Sequence, residues 1–348
     1  MLFEILIQTG VAGAIAAAVS WIIVVNGKKM GIVDDPAVHK HPKVVHQQAV
    51  PRGGGLVIWA AVVVTMLLFV PVDQKVAGVL VGVTILAIVG WIDDKWEEKL
   101  SPYLRLGLNV LVAGIVIWAG VRIGFVTNPF GGVVDLSWWV ADIFALVWLV
   151  SMQNIVGWSS GVDGQMPGFV IIAAVTIAAL GWRFNADARQ LPVIALAAIT
   201  AGAYAGFLVW NWYPQKIMPG YGGKSLAGFL MGVLAIMSGA KVGALAMVLG
   251  IPFIDAVVVV IKRIREGRSP VWGGYEHLHH LLLDRGWGKR KIALFYWGFS
   301  GILGVLALQL NSAAKWFTMA SIILVAGGGI WWLHYFSTFS KRPGPDSG

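Results

Sequence analysis

The feature that most constrains this chain is a series of eleven apolar stretches, most of them long enough to cross a lipid hydrocarbon core. A spanning helix needs about 20 apolar residues. The stretches fall at 3–25, 55–70, 76–92, 106–125, 138–156, 169–182, 191–210, 225–238, 242–261, 292–310 and 317–336. The chain is 58% hydrophobic and 12% charged, too little polar surface to coat a water-soluble globule. Lipid must therefore solvate it. A transmembrane β-barrel would show strands of about ten residues alternating apolar and polar, and this chain has continuous runs such as 60–70 instead. Helices follow, because in lipid each backbone polar group has to be satisfied within its own segment. The expectation is an all-α integral membrane protein, a polytopic bundle of about 11 transmembrane helices.

The basic residues orient it. With the N-terminus outside, 20 of the 26 Lys and Arg fall on cytoplasmic loops, and only Lys75, Arg122, Arg183, Arg189, Lys241 and Lys315 fall outside. The first stretch follows Glu4 and precedes Lys28 and Lys29, which reads as a retained helix, not a cleaved signal. The net charge of +9 then reflects topology and attraction to anionic headgroups and phosphates, with no nucleic-acid partner implied. No cysteine is present, so disulfides and thiolate metal sites are excluded. Residues 1–340 read as one transmembrane domain in the cytoplasmic membrane, and 341–348, with two prolines and two glycines, as a short disordered cytoplasmic tail.

Nearly every chemically versatile side chain falls on the inner loops. Asp93 and Asp94 end the third stretch, where carboxylates oppose the helix macrodipole and repel each other. Two readings stand: a pair that binds Mg²⁺ or takes a proton, or a hydrated boundary balanced by Lys95 and Lys99. The loop from Asn154 to Gly164 joins amide, hydroxyl and carboxylate groups, including Asp163, to turn-forming glycines. The loop from Asn211 to Ser225 ends in glycines and Lys224 at a helix start, either a weak phosphate cradle or a turn. Three histidines, His277, His279 and His280, suit metal ligation, phosphate binding or proton shuttling, or a solvated basic loop; flanking Arg263, Arg265, Arg268 and Arg285 make phosphate the easiest partner. Asp255 lies inside the ninth stretch, and an intramembrane carboxylate is a functional candidate by default. If Pro252 bends that helix, Asp255 faces a cleft near the inner surface.

Taken in order, these segments resemble the polyprenyl-phosphate N-acetylhexosamine-1-phosphate transferases. That family includes undecaprenyl-phosphate N-acetylglucosamine-1-phosphate transferase and phospho-N-acetylmuramoyl-pentapeptide transferase. The resemblance covers about residues 26–310. It rests on His46 with Pro51-Arg52 and Gly54-Gly55, Asp93-Asp94-Lys95, Asn154 with Gly161-Val162-Asp163-Gly164, Gly206-Phe207-Leu208 with Asn211 and Pro214, Asp255, Gly267-Arg268-Ser269-Pro270, and His277-Leu278-His279-His280. It implies attack by a polyprenyl phosphate on a UDP-N-acetylhexosamine, with UMP leaving and Mg²⁺ neutralising the diphosphate. Catalytic roles then pass to Asp93, Asp94, His277, His279 and His280, with Asp93 and Asp94 as the metal ligands. Substrate-binding roles pass to Arg52, Lys95, Asn154, Asp163, Asn211, Lys224, Asp255 and Arg268. The resemblance leaves room for a homodimer.

The departures from the family pattern cluster at polar positions. Gly157 and Ser160 stand where the third loop usually has Asn and Asp. Gly220-Tyr221-Gly222-Gly223-Lys224 stands for Gly-Asp-x-Gly-Ser, whose Asp is a metal ligand. Gly274 replaces an Asp, and Leu281 an Arg. These changes make the site about three charges more positive, which weakens Mg²⁺ binding. The readings left open are a transferase with altered metal handling, a relative with a different donor or acceptor, and an inactive scaffold, regulator or lipid-phosphate-binding protein of envelope polysaccharide assembly. A transporter would account for Asp255 but not for the ordered loops.

Overall fold

The computed structural model describes residues 2–36, 48–96, 100–128, 131–183, 191–239, 241–272 and 274–335. His39, His41 and His46, Lys99 and the 341–348 tail lie outside the described residues. Helices α1 (Leu2–Met30), α2 (Gly54–Phe69), α3 (Gln74–Lys95), α4 (Pro102–Trp118), α5 (Trp138–Trp158), α6 (Gln165–Arg183), α7 (Leu191–Asn211) and α8 (Gly220–Met237) are followed by α9 (Val242–Val248) and α10 (Gly250–Arg265). The chain continues through α11 (Leu278–Asp284), α12 (Lys289–Gln309), α13 (Ser312–Ile322), a π-helical turn and α14 (Gly328–Tyr335). Each apolar stretch of the sequence has a helix or a helix pair. Among the described residues, eight are long and apolar enough to cross a membrane, or nine if the bent pair α9 and α10 counts as one span; α2 and α4 are apolar but shorter.

Helix α8 is the centre, packed against α2, α3, α5, α6 and α7. Lipid tails are as apolar as the helices, so association depends on close packing, and small residues permit it. A Cβ at Gly90 would lie 2.3 Å from Gly222 Cα, and one at Gly55 2.9 Å from the same atom. A Cβ at Gly228 would lie 2.2 Å from the Met152 carbonyl oxygen, which brings α5 equally close. The glycines that read as a loop before the eighth helix are therefore its first turns, and they let α2, α3 and α8 meet backbone to backbone.

The ninth stretch does not bend at Pro252. It breaks at Leu249, where α9 and α10 meet at 84°. Pro252 sits in the first turn of α10, where no intrahelical N–H bond is lost. Among the described residues, two short antiparallel strand pairs complete the fold. β1 (Val33–Asp34) pairs with β2 (Val50–Pro51), and β3 (Phe125–Thr127) pairs with β4 (Val133–Asp135). The first leads into a bridge between Arg52 and Met218, fixed by Met218 N–H to Pro51 O at 2.9 Å and Gly54 N–H to Met218 O at 3.1 Å. It thus delivers Arg52 to the start of α8.

Candidate active site

The two carboxylates at the end of α3 are buried, with Asp93 4% and Asp94 7% exposed, so they are not a hydrated boundary. Lys95 does not balance them, since its ammonium lies over the Trp91 and Trp96 rings at 5.2 Å. The compensation comes from other helices. Arg105, in the first turn of α4, donates from Nε to Asp93 Oδ1 at 2.8 Å and reaches the same oxygen with a second nitrogen at 2.7 Å. Asp94 accepts the Tyr221 backbone N–H at 3.0 Å, and its carboxylate covers Gly220, leaving no space for a Cβ there. A carboxylate that opposes its own helix dipole thereby satisfies an N–H left open at the N-terminus of α8. Arg52 and Lys224 lie within electrostatic range of Asp94. Arg52 is also held by Asp34 at 2.6 Å.

The Tyr221 phenol points into the bundle, donating to Asn109 Oδ1 at 2.9 Å. Ser225 donates toward the same oxygen at 3.1 Å and lies 3.1 Å from Gln153 Oε1. The Arg105 guanidinium lies over the Tyr221 ring at 5.3 Å. Tyr221 therefore tethers α8 to α4 with its side chain and holds Asp94 with its backbone, while Ser225 reaches Gln153 of α5.

The histidine segment packs onto the same end of the bundle. Asp255 has no exposed surface and uses both oxygens, one on His277 Nδ1 at 2.9 Å and the other accepting the Leu278 N–H at 2.8 Å. It fixes the start of α11 and does not face a cleft. The His277 and His279 rings stack, His280 lies tilted against His279, and the group is continued by Trp158 on His277 and Tyr275 on His280. His279 lies so close to Gly161 that a Cβ there would sit 1.8 Å from Nε2. Burial, its two histidine neighbours and Lys224 push the His279 pKa well below its ordinary value, so its ring is neutral at pH 7. Its Nδ1 is buried without a hydrogen-bond partner. Lys224 thus lies within electrostatic range of both Asp94 and His279.

A profile of glycosyl transferase family 4 matches residues 76–239, which contain Asp93, Asp94, the Asn154–Gly164 loop and Lys224. Over these residues the chain is similar to that family. It is 26% identical to the probable undecaprenyl-phosphate N-acetylglucosaminyl 1-phosphate transferase of Bacillus subtilis, over 85% of this chain and 82% of that one. It is 26% identical to the decaprenyl-phosphate N-acetylglucosaminephosphotransferase of Mycolicibacterium smegmatis, over 85% and 80%. It is 25% identical to a phospho-N-acetylmuramoyl-pentapeptide-transferase of a Synechococcus species, over 86% and 87%.

Within this chain, the site residues expected from the sequence divide into two sets. Asp94, Arg52, Lys224 and His279 are brought together by the chain of contacts described above. Others are held by structural partners. Asp163 accepts from Lys289 at 3.0 Å and from the Gln215 N–H at 3.2 Å. Asn211 accepts the Gly164 N–H at 3.0 Å and donates to Ile217 O at 2.8 Å, tying α6 to α7. Asn154 donates back to Val150 O at 2.7 Å. Arg268 is exposed and paired with Glu266 and Glu276. Although burial pushes Glu276 up, hydrogen bonds from Arg263 and Arg268 and the charge of Lys262 take its pKa down to about 2.

The structure also accounts for two departures. The Ser160 hydroxyl donates to Gly157 O at 2.6 Å, closing the end of α5. A Cβ at residue 274 would lie 2.0 Å from an Arg263 guanidinium nitrogen, so Arg263 occupies that space and pairs with Glu276 instead. Arg105, Asn109, Gln153 and Glu276 were not singled out from the sequence. Arg105 had a signal, being a basic residue 11 positions after Asp94 and close to a helix start.

Among the described residues, no three His, Asp or Glu side chains converge to hold a metal ion. Asp93 is engaged by Arg105, and Asp94 lies among Arg52, Lys224 and the start of α8. Both carboxylates are thus already compensated by cations of this chain, which leaves the pair a poor fit for Mg²⁺, an ion held through one or two carboxylates together with water and substrate phosphates.

Proposed function

We propose that this chain transfers an N-acetylhexosamine-1-phosphate from a UDP-sugar to a polyprenyl phosphate, giving a polyprenyl-diphosphate sugar and UMP. The observation that carries the reading is the convergence of Arg52, Lys224, His279 and Asp94 at one end of an apolar bundle. Cations and a buried ring nitrogen without a partner suit phosphate oxygens, and the site's position suits an acceptor whose phosphate lies at headgroup depth. The relatives named above act on undecaprenyl or decaprenyl phosphate or carry the phospho-N-acetylmuramoyl-pentapeptide name, which supports the substrate class.

In the reaction, an oxygen of the lipid phosphate forms a bond to the sugar-bearing phosphorus. The bond from that phosphorus to the bridging oxygen breaks, and UMP leaves with the electron pair. Most of the work is positioning and charge stabilisation. Arg52 and Lys224 supply positive charge, Asp94 orders the start of α8 beside them, and Asp255 positions the histidine segment over them. The purified chain, given UDP-N-acetylglucosamine and undecaprenyl phosphate, is expected to release UMP and form the lipid-diphosphate sugar detected by mass spectrometry. No UMP with either N-acetylglucosamine or N-acetylmuramoyl-pentapeptide donors, under any metal condition, would overturn the reading.

The finer topology is part of the same proposal. Eleven crossings with the N-terminus outside put the site in the cytoplasm, where nucleotide sugars are, and the distribution of Lys and Arg supports it. Single cysteines placed at Lys95 and Lys216 of this cysteine-free chain should resist impermeant reagents in intact cells. Labelling from outside would reverse the orientation.

A further inference from the structure

The charges around the acidic pair are unusual for a site that receives a diphosphate. Arg105 engages Asp93, Lys224 lies within electrostatic range of Asp94, and Arg52 lies in range of Asp94 while paired with Asp34, so each carboxylate here already has a cation of this chain beside it. Tyr221, next to Asp94, offers it only a backbone N–H, because its phenol is committed to Asn109. Three residues further along α8, Lys224 is only partly buried and interacts with both Asp94 and His279, and His279 carries a buried Nδ1 with no partner. Two groups that bind anions therefore lie within electrostatic range of one another near the start of a helix whose dipole also favours negative charge.

We propose that this site neutralises the donor diphosphate with the Lys224 ammonium, assisted by Arg52 and the start of α8, and does not depend on a divalent cation. The inference rests on the transferase reading and specifies how that site handles charge. A fixed ammonium near the bridging oxygen stabilises the charge that develops on departing UMP. The step needs no added proton, because the two phosphate groups enter and leave with the same total charge.

The test uses the full chain in lipid nanodiscs, with UDP-N-acetylglucosamine as donor and undecaprenyl phosphate as acceptor. UMP release and calorimetric binding of UDP-N-acetylglucosamine are both measured in excess EDTA and in Mg²⁺. Wild type is expected to keep release and affinity within about threefold in EDTA, while Lys224→Gln weakens donor binding in EDTA by about tenfold or more and Lys224→Arg restores it. Mg²⁺ should recover part of the Lys224→Gln loss. The inference is overturned if wild type loses more than about tenfold of either quantity in EDTA, or if Lys224→Gln binds donor there as wild type does. The wild-type comparison decides even if the variant misfolds. Lys224-dependent donor binding in EDTA without UMP release in any condition would overturn the transferase reading and leave the inference standing.

Discussion

Asp94 and Asp255 are both buried aspartates at the same end of the bundle, and their surroundings assign them different work. Asp255 has both oxygens committed, one to His277 and one to the Leu278 N–H, and no exposed surface. Asp94 retains a small exposure and has Arg52 and Lys224 within range, with one oxygen on the Tyr221 N–H. Burial of a carboxylate therefore does not by itself mark catalysis. What distinguishes the two is whether the partners leave charge facing outward for a ligand.

The sharpest break of this contrast is Asp94→Asn. It keeps an acceptor for the Tyr221 N–H but removes the charge, so turnover should fall about 100- to 1,000-fold in a folded protein. Unchanged turnover would place Asp94 with Asp255 as a structural group. Asp255→Ala leaves His277 and the Leu278 N–H without their partner and should cost about 3 kcal/mol of stability. Thermal unfolding in detergent checks this, and Asp255→Asn, which retains an acceptor, should lose less. An Asp255→Ala melting temperature equal to wild type would show that the histidine segment is held by other contacts.

Removing the guanidinium in Arg105→Ala should lower turnover about tenfold, with Arg105→Lys recovering part, because Asp93 then competes for the cations around Asp94. Equal turnover in the alanine variant would make Asp93 and Arg105 a closed structural pair. The pH dependence of His279 has a definite sign. Its folded pKa lies well below the unfolded value of 6.5, so the neutral ring's contribution to stability is present above pH 6.5 and is lost as pH falls below it. Melting temperatures of wild type and His279→Gln between pH 7.5 and 5 should converge toward the acid end, and parallel curves would contradict the burial. The smallest effect belongs to Arg268→Ala. Its side chain is 52% exposed and its ion pairs are screened, so stability should change by about 1 kcal/mol or less and turnover by under about threefold. A larger loss of donor affinity would return Arg268 to the binding site.

The amino-acid sequence alone determined the membrane class, the positions of the apolar helices and the gathering of polar residues at one end. Those features are legible because lipid offers no partner to backbone polar groups, so each span must be a helix recognisable by composition. The order of the motifs likewise pointed to the transferase family. The sequence did not distinguish Asp93 from Asp94, because the difference lies in Arg105 on one side and in Tyr221, 127 residues away, on the other. Nor did it show that the glycines before Lys224 are helical, since their role is to let Gly55 and Gly90 approach the backbone of α8. The bend at Leu249 and the commitment of Asp255 to α11 were decided the same way. Helix packing in lipid depends on which small and polar residues meet across helices far apart in the chain, and no local periodicity encodes that choice.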